Sequence, residues 1–300
     1  MTHFFSSFFK KKEKTPEQQF DLFKFDGIRA LQIGQCDYAE KCFKSALTIK
    51  TEHQVLGYLA SALVEQENLE EAKEVLLQQI EIAPDVHDIH LQVASLCYQL
   101  GDFAGMQQHA TIVLQEKAED AQANFLLATA ERGLSLPFEA IAHATKAIQA
   151  DAEKEAAYLL RAEILFEMQQ LTEVRKDLDT LLTLHPGHEE ALFLSGKTYE
   201  QLQEIEKAIE VFQQLITLDP FHHMGYLKLA ALYLYKKETK KALDLLNDCV
   251  EVNPDFAKAY LQRGEIKHLL QDKEGALADI KKAGELDPDL LNKISGDFKI

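Results

Sequence analysis

Lys197 lies in the string Ser195-Gly196-Lys197-Thr198, which reads like the end of a phosphate-binding loop, where backbone amides and a lysine cradle phosphates. The first glycine of such a loop would fall at Ala191, and no strand precedes it. His188-Glu189-Glu190 opens like a zinc-protease helix, but Leu192 stands where the second histidine belongs. Histidines also pair at two turns, His185 with His188 and His222 with His223, and a shift of one repeat would bring the pairs together. No cysteine or placed carboxylate completes a coordination set there. Cys36, Cys42, Cys97 and Cys249 contain no CxxC pair, and Cys97 and Cys249 fall on apolar stripes that predict buried, reduced thiols. With no nucleophile elbow either, the chain is expected to catalyse nothing and to hold neither cofactor nor metal.

What positions these residues is a repeat of about 34 residues, eight times over, from Phe20 to Leu290. Ala39, Ala72, Ala140, Ala208, Ala242 and Ala276 occupy one repeat position, with Met106 and Val174 in the third and fifth units. Pro84, Pro186, Pro220, Pro254 and Pro288 share another. Within LDLLNDCVEVNPDFAKAYLQRGEIKHLL, apolar residues recur at three- and four-residue spacing, break at a proline turn and resume. Each unit is thus predicted to be two antiparallel helices, and the fold all-α. The boundaries are 20–52, 53–86, 87–120, 121–154, 155–188, 189–222, 223–256 and 257–290.

The composition agrees with an ordered array: hydrophobic residues make up 46% of 300 and charged residues 27%. A net charge of -17 disfavours a nucleic-acid surface and suits a basic or neutral partner. The longest uninterrupted apolar run is the seven residues Leu229 to Tyr235, too short to span a membrane. In residues 1–14 the lysines follow the apolar stretch, the reverse of a secretory signal, so a cytoplasmic location is the expectation. Phe4, Phe5, Phe8 and Phe9, followed by Lys10, Lys11, Lys12 and Lys14, form a short amphipathic segment. Packing against the first repeat is favoured over contact with a membrane surface.

The sixth unit carries Leu192, Gly196, Tyr199, Ala208, Phe212, Leu215 and Pro220, and in these it resembles the tetratricopeptide repeat family. The resemblance implies a right-handed superhelical solenoid of about eight antiparallel helix pairs over residues 20–290. It would be flanked by a Phe/Lys-rich segment at 1–19 and a short cap or tail at 291–300. It also implies a groove lined by the first helices that receives a peptide or a partner's helix. In the first four units groove positions are Lys24, Ile28, Tyr58, Ser61, Gln92, Ser95, Leu126 and Thr129, a largely uncharged surface. In the last three they are Phe193, Lys197, Leu227, Lys228, Lys258, Gln262 and Glu265, and the three ammonium groups make this the candidate peptide site.

Some family members hold a C-terminal carboxylate with Lys and Asn, then Asn, then Lys and Arg. Only Lys258 matches that set: Lys197 and Lys228 replace Asn, Gln262 replaces Arg and Phe193 replaces Lys. The expected role is a non-enzymatic protein-interaction scaffold or adaptor. Alternatives are a peripheral membrane assembly factor anchored by its N-terminal segment and a peptide-responsive sensor. Leu286, Leu290, Leu291, Ile294 and Phe298 would fold back as a cap or pair two copies through their ends.

Overall fold

The computed structural model describes residues 14–84 and 86–290. The Phe4–Lys12 stretch and residues Leu291, Ile294 and Phe298 lie outside the described residues. Within them run sixteen α-helices in eight consecutive pairs. The first compact unit holds α1 (Pro16–Gln32), α2 (Cys36–Leu47), α3 (His53–Glu65), α4 (Leu69–Ile82), α5 (His87–Gln99), α6 (Phe103–Glu116), α7 (Ala121–Gly133) and α8 (Pro137–Ala150). The second holds α9 (Glu155–Glu167), α10 (Leu171–Leu184), α11 (Glu189–Gln201), α12 (Ile205–Leu218), α13 (His223–Tyr235), α14 (Thr239–Val252), α15 (Ala257–Leu269) and α16 (Lys273–Leu286).

One boundary differs from the repeat register. Helix α1 opens at Pro16, inside the segment assigned above to the N-terminal extension. Thr15 caps it by accepting from the Gln18 amide while the Gln18 side chain accepts from the Thr15 amide, and Pro16 fills the first helical position. This capping box fixes the start independently of the apolar stripe.

Every first helix ends in the same way. The amide five residues beyond a carbonyl closes back on it, as from Asn68 to Leu63, Leu136 to Glu131, Glu204 to Tyr199 and Asp272 to Lys267, at 2.8–2.9 Å. The residue just before that amide takes a left-handed backbone, at Gly34, Glu67, Gly101, Ser135, Gln169, Gln203, Lys237 and Gln271. This closure satisfies the terminal carbonyls and reverses the chain within three residues, so the two helices of a pair lie side by side.

Inside each pair, the alanine position named above is buried in all six units that carry alanine, and Met106 and Val174 are fully buried in the other two. In two units a glycine of the first helix lies against a large ring of the second, Gly27 against Phe43 and Gly196 against Phe212, whereas Gly264 at the same repeat position lies against Ile280. Repeat position 23 is apolar in half of the units. In the others it reaches back to its own first helix, as His109 to His90, His143 to Glu131, Asp177 to Arg161 and Asp279 to Arg263.

Candidate peptide-binding site

In the second unit, α9 packs on α11 and α13 on α15, so first helices neighbour first helices and share a face. Lys197, on α11, is half-buried, and its ammonium lies 4.5 Å from the centre of the Phe166 ring and 5.8 Å from that of Phe193. Phe193 is fixed in turn by the edge of Phe212 at 5.9 Å and by the His222 ring at 5.2 Å. Two ring faces stabilise the ammonium by about 0.5–2 kcal/mol each without neutralising it. Among the described residues no carboxylate pairs with Lys197.

The other sequence-predicted residues fare differently. Lys228 donates to Glu200 Oε2 at 2.8 Å, which answers its charge within the protein. Lys258 is exposed, and Gln262 is half-buried one helical turn further along α15. Leu227 is only 5% exposed: it belongs to the core and offers no surface to a ligand. The reason is that α13 packs against α12, α14 and α15, so its apolar side is wider than a single stripe. Leu126 in the first unit is a core residue for a similar reason, and Lys24 there is paired with Glu52.

Phe166 was not among the sequence candidates. It lies in the last turn of α9, and in repeat terms it stands one helical turn further along than Lys197 does on α11, so only the packing of two neighbouring first helices brings the two together. An aromatic at that position in the unit preceding a groove lysine was the available signal.

The turn histidines do local work. His188 and His222 cap α11 and α13, their Nδ1 atoms accepting from the Ala191 and Gly225 amides at 3.4 and 3.0 Å. His185 contacts Glu155 at 2.8 Å, and the His223 ring packs on Phe256. Cys97 and Cys249 are fully buried, and burial pushes the Cys249 thiol up to about 11.

In the first unit, α1 packs on α3 and α5 on α7, whereas an open cleft of about 370 Å³ separates α3 from α5. It is lined by Ser61, Val64 and Glu65 of α3, by Leu91, Gln92, Ser95 and Gln99 of α5, and by apolar residues beneath, including Leu76. Ser61 and Ser95 are two of the groove positions read from the sequence. Their hydroxyls donate to the Gly57 and Leu91 carbonyls of their own helices, leaving the side-chain amides of Gln92 and Gln99 as the cleft's conspicuous donors.

Models of the tetratricopeptide repeat match residues 54–86, 189–222 and 257–290, and a second such model matches 225–255. The chain is a tetratricopeptide-repeat protein. Two of the matched tetratricopeptide segments coincide with units six and eight as bounded by the sequence period.

A tetratricopeptide repeat protein from Parabacteroides merdae ATCC 43184 shares 18% identity over 78% of this chain and 93% of its own, with a TM-score of 0.59. Pseudomonas aeruginosa pilF shares 19% over 67% and 92%, with a TM-score of 0.57. YrrB, described as a TPR protein with an unusual peptide-binding site, shares 19% over 60% and 93%, with a TM-score of 0.50. At such identities the likeness is one of fold. A search of curated proteins finds no match. Among the described residues no helix is long and apolar enough to cross a membrane.

Proposed function

We propose that this tetratricopeptide-repeat chain is a non-catalytic scaffold whose first-helix faces hold segments of partner proteins. The observation that carries the reading is Lys197, a half-buried ammonium beside the Phe166 and Phe193 rings that pairs with no carboxylate among the described residues. Such a group is oriented before any ligand arrives, and a carboxylate reaching it would form a charge-assisted hydrogen bond in a partly desolvated setting. Phe193, Lys197, Lys228, Lys258 and Gln262 are the residues assigned to this site. Lys228 engages a ligand only by exchanging Glu200, so its part is register more than affinity. The repeats, and the peptide-binding site of the similarly folded YrrB, support the same class of role. A cytoplasmic location and the absence of enzymatic activity belong to the proposal.

The test is quantitative capture of proteins on the immobilised full chain, comparing wild type with the combined Lys197→Glu, Lys228→Glu and Lys258→Glu variant. The expected result is loss of one or more partners with an unchanged melting curve. Partners retained in full by a folded variant would remove this face from the account.

A further inference from the structure

The cleft between α3 and α5 differs from the Lys197 face in both depth and charge. Its floor is aliphatic, with Leu76 and Leu96 buried and Val64 and Leu91 half-buried at its walls. Its volume, about 370 Å³, lies at the lower end of the range for ligand pockets and suits one large side chain with its flanking backbone. Gln92 and Gln99 stand on one wall, each with a donor and an acceptor that match the two polar groups of an extended peptide unit.

Charge decides what kind of segment fits. Residues 53–116, which build this part of the unit, contain ten carboxylates and one ammonium, that of Lys73, and Lys73 is already bonded to Asp102. Glu65 lines the cleft itself, and among the described residues no cation pairs with it. An acidic ligand would meet Glu65 and the net negative charge of these residues, whereas a basic one gains a direct partner in Glu65 and a favourable long-range field.

We propose that this cleft receives an extended basic segment of a partner protein, seating one aliphatic side chain between Val64 and Leu91 and a neighbouring Lys or Arg against Glu65. The proposal rests on the scaffold reading and names the class of ligand for a second face of it. Leucine or isoleucine fits the cleft's size and its lack of aromatic lining. The glutamines bond the ligand backbone, so recognition depends on one anchor and one charge, with little demand on the other positions.

The test uses the full chain and three pools of fluorescently labelled nine-residue peptides with a fixed central leucine, read by anisotropy at about physiological salt. The flanks are Lys/Arg with Ser/Gly in one pool, Ser/Gln/Gly in the second and Asp/Glu with Ser/Gly in the third. The basic pool should bind at least about tenfold tighter than the acidic pool. Ser61→Trp, at an exposed lining position where a larger side chain leaves the core intact, should fill the cleft and weaken that binding about tenfold. Glu65→Lys should abolish the preference for basic flanks.

Equal binding of the three pools, or of none, overturns the proposal. So does basic-pool binding that survives Ser61→Trp, since that is attraction to the acidic surface without a seat. None of these results touches the capture experiment on the lysine face, so failure here and failure of the scaffold reading are separable.

Discussion

The ring of Phe212 occupies the space that a Cβ on Gly196 would need: an added methyl would lie 2.6 Å from the ring carbons. Gly27 and Phe43 stand in the same relation. In three units with alanine at this repeat position, Ala60, Ala162 and Ala230, the second helix carries a buried leucine, Leu76, Leu178 and Leu246, whereas Ala94 and Ala128 are matched by Ala110 and Ala144. The two positions therefore share one volume, divided differently in different units.

Gly196→Ala alone should destabilise the second unit by about 1–3 kcal/mol through overpacking. Phe212→Leu alone should cost a comparable amount by leaving a void. The two together reproduce the alanine–leucine arrangement of other units and should recover more than about 1 kcal/mol of the summed loss in a double-mutant cycle read by urea unfolding. Simple additivity would contradict the shared-volume account.

Six turns place a non-glycine residue at positive φ, among them Lys237 at 62°. A side chain there costs about 1–2 kcal/mol, and glycine returns part of that as entropy of the unfolded chain. Lys237→Gly is expected to stabilise by about 0.5–1 kcal/mol, whereas Gly101→Ala, at φ 70° with open space around it, should destabilise to a similar degree. Thermal melts check both signs.

His90 and His109 are buried with their Nδ1 atoms 2.9 Å apart, so one ring donates and the other accepts. Burial holds both below the usual imidazole range. His87 adds to this at His90, while His90 and Lys73 add to it at His109; the Pro84 carbonyl at His90 and Asp102 near His109 pull the other way. With folded values depressed, the pair's contribution is complete above the ordinary value of 6.5 and is lost as pH falls below it, because the unfolded chain then binds the extra protons. The double variant His90→Leu with His109→Val installs the pair present as Leu56 and Val75 in the second unit. Between pH 7.5 and 5.5 it should lose less stability than wild type, by about 1 kcal/mol or more in urea unfolding; an equal loss would contradict a neutral buried pair.

The helix pairs were legible because a strict period carries redundant information: alanine at one position and proline at another mark the same hairpin many times. Pro16 escaped because a helix start set by Thr15 and Gln18 is local and owes nothing to the period. Leu227 was misplaced because a helix that packs on three neighbours buries residues that a two-sided helical wheel assigns to the open face. The cage around Lys197 needed Phe166 from the preceding unit, and the cleft needed the separation of α3 from α5. Spacing within one helix encodes neither.

The most direct test of the central claim places a photo-crosslinking phenylalanine analogue at Ser61 and Lys197 on the first-helix faces, and at the exposed residues Gln78 and Lys240 on second helices. Each full-length variant is irradiated in native extract, and the adducts are identified by mass. If the first-helix faces hold partner segments, discrete adducts should form at Ser61 or Lys197 and be absent at Gln78 and Lys240. Adducts confined to Gln78 and Lys240, or equally abundant at all four positions, would contradict the account.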